Sequence, residues 1–495
     1  MNVLYNIVFT YSRYEMNKHC LLLGTILLAS CGGGGGTSPS IGLQPLNPTP
    51  PAPTPQFKEE AVVLSNPNTY FTQSCMEPNV QFVLPTKLNS DEHVDFIVHY
   101  WCSADPWGAS KREPTPDTLV AWASNGLGGY DVVNYDVFGD SYPEIGSATR
   151  KVSVKDINND GLPDFAFATN MEDGRATGGP DNQEDALSNG AYPAILLSSA
   201  DYKYTVHTLG EIDWGHAVDF APNGDAVFAG YLWTAEQQAF RLQDSSFVDV
   251  SNQYPVVQGN SFRFGAELLV NTNRLESGNH SIELYNGLEL LHVWERPTLF
   301  EVDIDNQMYP VADINGRKAV GGTVPEICVM DYNGKETFVM SVLSSQLVSG
   351  EDLQEDYYYT NSEFLNALRI EFFQVEDNQL VRIADPIDVE LDTADFNFML
   401  CDDINGDGLD DLQIQKHSNR FDNDRDTGGI PDVLLQSSGG MNYVNTTEWP
   451  QYSSKNMSTW GMLLDVNADG YSDLMLWEEA VDLGDIEIYL GNKDL

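Results

Sequence analysis

Apolar and polar positions along this chain alternate in short runs, not at helical spacing. Phe96-Ile-Val-His-Tyr-Trp, Phe165-Ala-Phe-Ala, Ala226-Val-Phe-Ala-Gly-Tyr, Ile282-Glu-Leu-Tyr, Pro325-Glu-Ile-Cys-Val-Met, Leu412-Gln-Ile-Gln and Leu474-Met-Leu-Trp are each four to six residues long. Such runs, bounded by Asp, Asn and Gly, predict strands. A helical pattern is nearly absent; the best candidate is residues 362–372.

What precedes these runs changes the picture. Three stretches repeat one constellation: Asp156, Asn158, Asp160, Gly161, Asp164; Asp403, Asn405, Asp407, Gly408, Asp411; and Asp465, Asn467, Asp469, Gly470, Asp473. Each places oxygen-bearing side chains at positions 1, 3, 5 and 9 and glycine at 6. A hard cation such as Ca2+ takes six to eight oxygens, and a chain folded back at a glycine supplies four side chains and the carbonyl of position 7, here Leu162, Leu409 or Tyr471. Without a cation the carboxylates would repel one another. An EF-hand opens the same way but needs Glu at position 12 and an exiting helix. Position 12 here is Phe167, Ile414 or Leu476, inside a strand run. Three calcium loops between strands are therefore expected; the alternative for any one copy alone is a plain Asp-Gly hairpin turn.

Weaker relatives extend the repeat. Lys87 to Asp95 keeps positions 3, 5 and 9 but has lost the acid at 1 and the glycine at 6. Asp219 to Gly224, Asn273 to Ser281, and Asp313 to Gly316 also precede strand runs, the last after an insertion. Seven markers between residues 95 and 473 are spaced by about 63 residues, the size of a multi-stranded propeller blade, and fill residues 57–495. The expected fold class is all-β, a beta-propeller of seven blades. The oversized interval between the fifth and sixth markers reads as a blade with an inserted excursion. Ile486-Glu-Ile-Tyr-Leu is expected to share a blade with Ala61-Val-Val-Leu, closing the ring.

The Asp-x-Asn-x-Asp-Gly-x-x-Asp loops, each followed by an apolar strand, resemble FG-GAP/VCBS-type repeats, the calcium-bearing propeller repeats of the integrin alpha head. The resemblance spans residues 57–495 and is carried by the three full loops and by Lys87 to Asp95. It implies a propeller with calcium in hairpins at the blade edge, and it implies no single activity, because fold does not specify function.

The N-terminus points to export. A short basic region at Met16 to His19 is followed by an apolar core from Cys20 and by Leu28-Ala-Ser-Cys31. This core is too short to span a bilayer, which takes about 20 apolar residues, and ends as processed signals do. Residues 1–30 read as a signal peptide whose start is Met16. The ending resembles a bacterial lipobox, which makes Cys31 the lipidated first residue. Residues 31–56, Gly-rich and then Pro-rich, read as a flexible and then extended tether. Gly32 in place of Asp implies, by resemblance to lipoprotein sorting, the outer membrane of a Gram-negative bacterium.

Charge excludes one class of partner. Lys and Arg number 25 against 74 Asp and Glu, a formal charge of -49, and three Ca2+ would return six units of it. Such a surface repels phosphate backbones, so no nucleic-acid partner is expected, and the lipid is left as the attachment to a membrane. Four cysteines remain after Cys31; the preferred pairing is Cys75 with Cys102 and Cys328 with Cys401, within or between neighbouring blades, against buried free thiols.

No metalloprotease, nucleophile-elbow, phosphate-loop or Cys-x-x-Cys motif is present, and the eight histidines are scattered. With no catalytic residue assigned, the expected function is a calcium-stabilised, lipid-anchored surface binding, adhesion or scaffold protein, with a glycan or protein ligand, and not an enzyme. The alternatives are a polysaccharide lyase or hydrolase on a propeller scaffold, which the thinly spread basic residues disfavour, and a structural subunit of an outer-membrane assembly. Most of the nine tryptophans, among them Trp101, Trp107, Trp122 and Trp460, read as core before sugar platforms, and the Asp-rich segments 172–183 and 419–426 as caps or solvated turns.

Overall fold

A computed structural model describes residues 57–58, 60–65, 77–103, 117–146, 149–169, 191–211, 215–230, 237–257, 261–274, 280–295, 300–304, 307–314, 317–347, 364–389, 397–416, 430–446, 449–450, 459–478 and 485–492. The strands form seven antiparallel sheets in a ring, a seven-bladed propeller. Blade 1 runs Glu77–Thr86, Asp95–Ser103, Asp117–Ser124 and Tyr130–Val132; blade 2 runs Thr149–Lys155, Asp164–Thr169, Ala194–Ser199 and Lys203–Thr208. Blade 3 runs Gly215–Phe220, Ala226–Gly230, Gln238–Gln243 and Ser246–Asp249; blade 4 runs Phe262–Phe264, Leu269–Arg274, His280–Asn286 and Glu289–Glu295. Blade 6 holds Asn397–Asp402, Asp411–Lys416, Asp432–Ser437 and Gly440–Tyr443.

Blade 7 is built from both ends of the propeller. Thr459–Leu464, Asp473–Glu478 and Ile486–Tyr489 come from the C-terminal part, and Val62–Leu64 supplies the fourth strand, with Val62 opposite Ile488 and Leu64 opposite Ile486. The ring closes where the apolar pattern places the closure. A sheet shared by the two ends of a chain cannot open without breaking a strand ladder.

Period-two side chains explain why the strand runs are apolar on both faces. In Asp473–Glu478, Leu474 and Leu476 pack toward blade 6 while Met475 and Trp477 pack toward blade 1. In Ala226–Gly230, Ala226 and Phe228 face blade 2, and Val227 and Ala229 face blade 4. Every pair of adjacent blades shares one such core, from Ile97 against Phe165 between blades 1 and 2 to Trp460 against Trp122 between blades 7 and 1. A central strand buried on both sides by neighbouring sheets has no polar face to show. Trp122 and Trp460 are core residues.

Blade 5 differs from its expected form in two ways. Residues 362–372 are not a helix: the strand Phe364–Glu376 runs through them, paired to Glu336–Leu347 along one edge and to Gln379–Arg382 and Ile387–Val389 along the other. A short apolar run does not separate helix from buried strand by periodicity, and here the neighbouring ladders decide. The sheet has seven strands: of the additional ones only Ile387–Val389 lies in the interval where the excursion was expected, while Phe300–Ile304 and Gln307–Ile314 come ahead of the fifth marker and lead into Arg317–Asp331. The second difference concerns register. Pro325 to Met330 is the end of a first strand, which turns at residues 332–335 into Glu336–Leu347; it is not the strand that follows a loop. In blade 4, likewise, the first turn is 265–268, and residues 275–279 join the second strand to the third. The markers at Asp313 and Asn273 are therefore not equivalents of the Asp loops.

Candidate calcium loops and an axial cluster

The three full loops join first to second strands in blades 2, 6 and 7 and share one hydrogen-bonding scheme. The position-1 carboxylate accepts the N–H groups of positions 5 and 6: Asp156 from Asp160 and Gly161 at 3.1 and 2.9 Å, Asp403 from Asp407 and Gly408 at 3.0 and 2.9 Å, Asp465 from Asp469 and Gly470 at 3.1 and 2.8 Å. Asn158, Asn405 and Asn467 accept from position 5 at 2.9–3.0 Å. Asp160, Asp407 and Asp469 accept from the position-7 amides of Leu162, Leu409 and Tyr471 at 2.8–3.0 Å. The turn demands glycine at position 6, where φ is 90°, 86° and 84°.

Position 9 does something else as well. Each of these buried carboxylates ties the loop to the third strand of its blade or, in blade 7, to the residue two beyond that strand's end. Asp164 accepts from Ile157 at 2.8 Å and Ser198 at 2.6 Å, Asp411 from Ile404 at 3.2 Å and Gln436 at 2.8 Å, Asp473 from Val466 at 2.9 Å and Gly491 at 2.6 Å. Burial, reinforced by the neighbouring loop carboxylates, lifts their pKa values: Asp164 upward, Asp411 to about 6 and Asp473 to about 7. Two or three amide bonds to each oppose that rise without cancelling it.

The donor chemistry fits a hard cation. In blade 2 the Ser198 hydroxyl lies 2.6 Å from Asp164 and 3.1 Å from Asp160, so positions 5 and 9 converge. All donors are oxygens, and among the described residues no Lys, Arg or His contacts the acids of these three loops. Among the described residues no group of three or more His, Cys, Asp or Glu gathers at metal-binding distance; the carboxylates are turned onto backbone amides. Bound calcium would be held by Asp156, Asn158, Asp160, Leu162 O and Asp164 and their counterparts. It would supply the positive charge that these loops otherwise lack.

The weaker units are organised differently. Asp95 repeats the position-9 role, accepting from Leu88 at 2.6 Å and Ser124 at 2.7 Å. Asp219 is not a loop residue at all: it sits on the first strand of blade 3, where Ser153 and Arg263 donate to it, both at 2.7 Å.

Asp219 belongs to a cluster on the ring axis. The first strands of blades 2 to 6 touch one another in succession and therefore line the centre. Lys151 of blade 2 pairs with Glu326 of blade 5, and Arg263 of blade 4 reaches Glu326 at 3.8 Å and Asp219 of blade 3 at 2.7 Å. Lys151 also stands 5.1 Å from the ring centroid of Phe398 in blade 6, which meets Phe82 of blade 1 at 5.6 Å and Trp460 of blade 7 at 5.3 Å. Phe82, Lys151, Phe398 and Trp460 each lie four residues before the end of their first strand, so they form one layer. Non-adjacent blades in direct contact close the axis at this level.

The sequence reading missed this cluster and judged the basic residues thinly spread; two of the 25 meet here. Its one trace is the shared spacing ahead of the Asp loops, legible only once the strand register is known. A second ionisable pair, His99 and Asp117 at 2.8 Å, is sealed between blades 1 and 2 with both side chains fully buried.

Cys328 and Cys401 form a disulfide, with Cα atoms 5.9 Å apart, that joins blades 5 and 6. Cys31, Cys75, Trp107, the side chains of Trp101 and Cys102, the segment 1–56 and the Asp-rich segments 172–183 and 419–426 lie outside the described residues.

No family model and no curated protein matches the chain. Solved structures with distant likeness include the rhamnogalacturonan lyase of Bacillus licheniformis, at 12% identity and a TM-score of 0.36 over 86% of this chain and 75% of that one. A protein of unknown function from Dyadobacter fermentans is 11% identical with a TM-score of 0.35, covering 89% of this chain and 100% of that one. An arginine-to-alanine mutant of AofleA from Arthrobotrys oligospora is 9% identical with a TM-score of 0.34, covering 70% and 88%. At these scores and identities none of the three assigns a function to this chain.

Proposed function

We propose that this protein is an exported, lipid-anchored propeller, stabilised by calcium in blades 2, 6 and 7, that binds a glycan or protein ligand and catalyses no reaction. The observation that carries the reading is the contrast between its two charged regions. On the axis, Lys151, Arg263, Glu326 and Asp219 are engaged with one another. In the three loops, Asp164, Asp411 and Asp473 are buried among further carboxylates with no basic partner among the described residues. Charges so arranged suit a scaffold with a cation requirement better than a reaction centre. Cys31 would hold the protein to the membrane, and the ring faces, where loops from several blades meet, would take the ligand.

The test is a turnover screen on acidic and neutral polysaccharides with Ca2+ present, run beside a glycan array and a co-purification. Ligand capture without turnover is the expected result.

One observation favours a polysaccharide-active enzyme as the second reading. Lyase chemistry on acidic glycans needs cationic groups beside a proton acceptor, and the axis brings two basic side chains next to two carboxylates. Turnover by the wild type that is abolished in Lys151→Met or Arg263→Met, at a temperature where circular dichroism shows each variant folded and with calcium content unchanged, would establish that reading and displace the first.

A further inference from the structure

Two of the degenerate units carry a basic side chain where the full loops carry none. The blade-1 loop, Lys87 to Asp95, keeps three of the full loops' bonds: Asn89 accepts from Asp91 at 2.7 Å, Asp91 accepts from His93 at 3.0 Å, and Asp95 ties the loop to the third strand, although Ser90 and Glu92 at positions 4 and 6 do not take the positive φ of the full loops. Position 1, however, is lysine. Its Nζ does not extend into solvent but folds over the loop, donating to the carbonyl of Asp91 at 3.1 Å and to the carbonyl of His93 at 2.8 Å. His93 is position 7, whose carbonyl is the backbone ligand in an oxygen-coordinated loop of this spacing. The ammonium thus bonds an oxygen that a metal would use, and its charge opposes the burial that raises the Asp95 pKa.

Blade 3 reaches the same end with a different side chain. Asp225, fully buried, closes a shorter turn one residue ahead of the second strand, its carbonyl accepting from Ala221 at 2.8 Å, and so stands where the full loops have position 9. Arg241 grips it in two bonds, Nε to Oδ1 at 2.8 Å and Nη2 to Oδ2 at 2.6 Å. Lys155 adds its ammonium to the same turn, on the carbonyls of Ala221 at 3.0 Å and Pro222 at 3.1 Å. A planar guanidinium matches a carboxylate in this paired geometry.

We infer that Lys87 in blade 1 and Arg241 in blade 3 are resident cations that stand in for the metal, so that the calcium requirement falls on blades 2, 6 and 7 alone. The inference rests on the calcium reading of the three full loops. It explains why units with the same position-9 carboxylate divide into two classes: each has a positive charge, fixed covalently in blades 1 and 3 and taken from solution in the others. A covalent cation cannot be chelated, so these two blades keep their loops ordered in the absence of calcium.

The experiment compares the full-length protein, loaded with Ca2+ and freed of excess by gel filtration, with three variants. Elemental analysis should find three Ca2+ per chain in the wild type, in Lys87→Gln and in Arg241→Gln. It should find four in Lys87→Asp combined with Glu92→Gly, which restores the acid at position 1 and the glycine at 6. Lys87→Gln and Arg241→Gln should each melt about 2 °C or more below the wild type, in EDTA and in Ca2+ alike. Three ions in both the wild type and the Lys87→Asp, Glu92→Gly variant would overturn the inference while leaving the calcium reading intact, as would a Lys87→Gln variant that melts with the wild type. A wild type without calcium would overturn the calcium reading itself and this inference with it.

Discussion

Lys151 and Glu326 stand 175 positions apart in the chain and pair across the ring axis, joining blade 2 to blade 5. Both side chains are nearly excluded from solvent. Removing one partner of such a pair strands the other charge in the interior. Lys151→Met should therefore destabilise the propeller by about 3–5 kcal/mol, and Lys151→Met with Glu326→Gln by distinctly less. Urea denaturation of the single and double variants measures both. Equal losses would mean that the pair is energetically idle.

Calcium should stabilise the folded chain, since a ligand that binds only the folded state contributes about 2.7 kcal/mol per site at a hundredfold excess over Kd. EDTA should lower the melting temperature, and readdition of Ca2+ should restore it. An unchanged melting curve, with no metal found by elemental analysis, would refute the calcium loops.

Asp403→Ala or Asp407→Ala should weaken one calcium site, whereas Asp219→Ala should leave calcium binding intact and cost stability through loss of its bonds to Ser153 and Arg263. Calorimetric titration with Ca2+ separates the two. A calcium deficit in Asp219→Ala would place that residue back in a loop.

In the calcium-free protein, pH should act in an unusual direction. The folded pKa values of Asp411, about 6, and Asp473, about 7, lie above the ordinary carboxylate value of 3.8. A raised carboxylate pKa means that the folded state holds its protons more tightly than the unfolded one. The stability this contributes is full below about pH 4 and is lost as pH rises through 6 and 7. Melting in EDTA should accordingly show a contribution that declines between about pH 4 and pH 7, and Asp473→Asn should shrink it. Saturating Ca2+ should remove the trend by competing with those protons.

Cys31→Ser should move the protein from the membrane fraction to the soluble one. On the lipid-anchor reading Cys31 carries the attachment, and a formal charge of -49 gives no attraction to anionic headgroups. Membrane association of the variant that survives high salt would point to a protein partner.

By itself the sequence determined the repeat. Asp, Asn and Gly at fixed spacing fix a local turn, because the side chains at positions 1, 3 and 5 bond amides within six residues, and the apolar run after it has to be a strand buried on both faces. The regular spacing of the markers and two matching end strands then leave little choice but a closed ring, even though two of the seven markers, at Asn273 and Asp313, do not mark loops of this kind. Local signals failed where the turn chemistry had drifted. Blades 4 and 5 turn at residues 265–268 and 332–335 without the Asp pattern, and the strand Phe364–Glu376 is specified by the ladders on either side of it. Contacts across the axis were illegible until the chain was folded. Lys151, Asp219, Arg263 and Glu326 come from four different blades, and Lys87 and Arg241 matter for where their charges fold back. Ring closure brings the four axial residues together over distances along the chain that no local pattern spans, whereas Lys87 and Arg241 act within 6 and 16 residues and the packing around each long side chain sets where it turns.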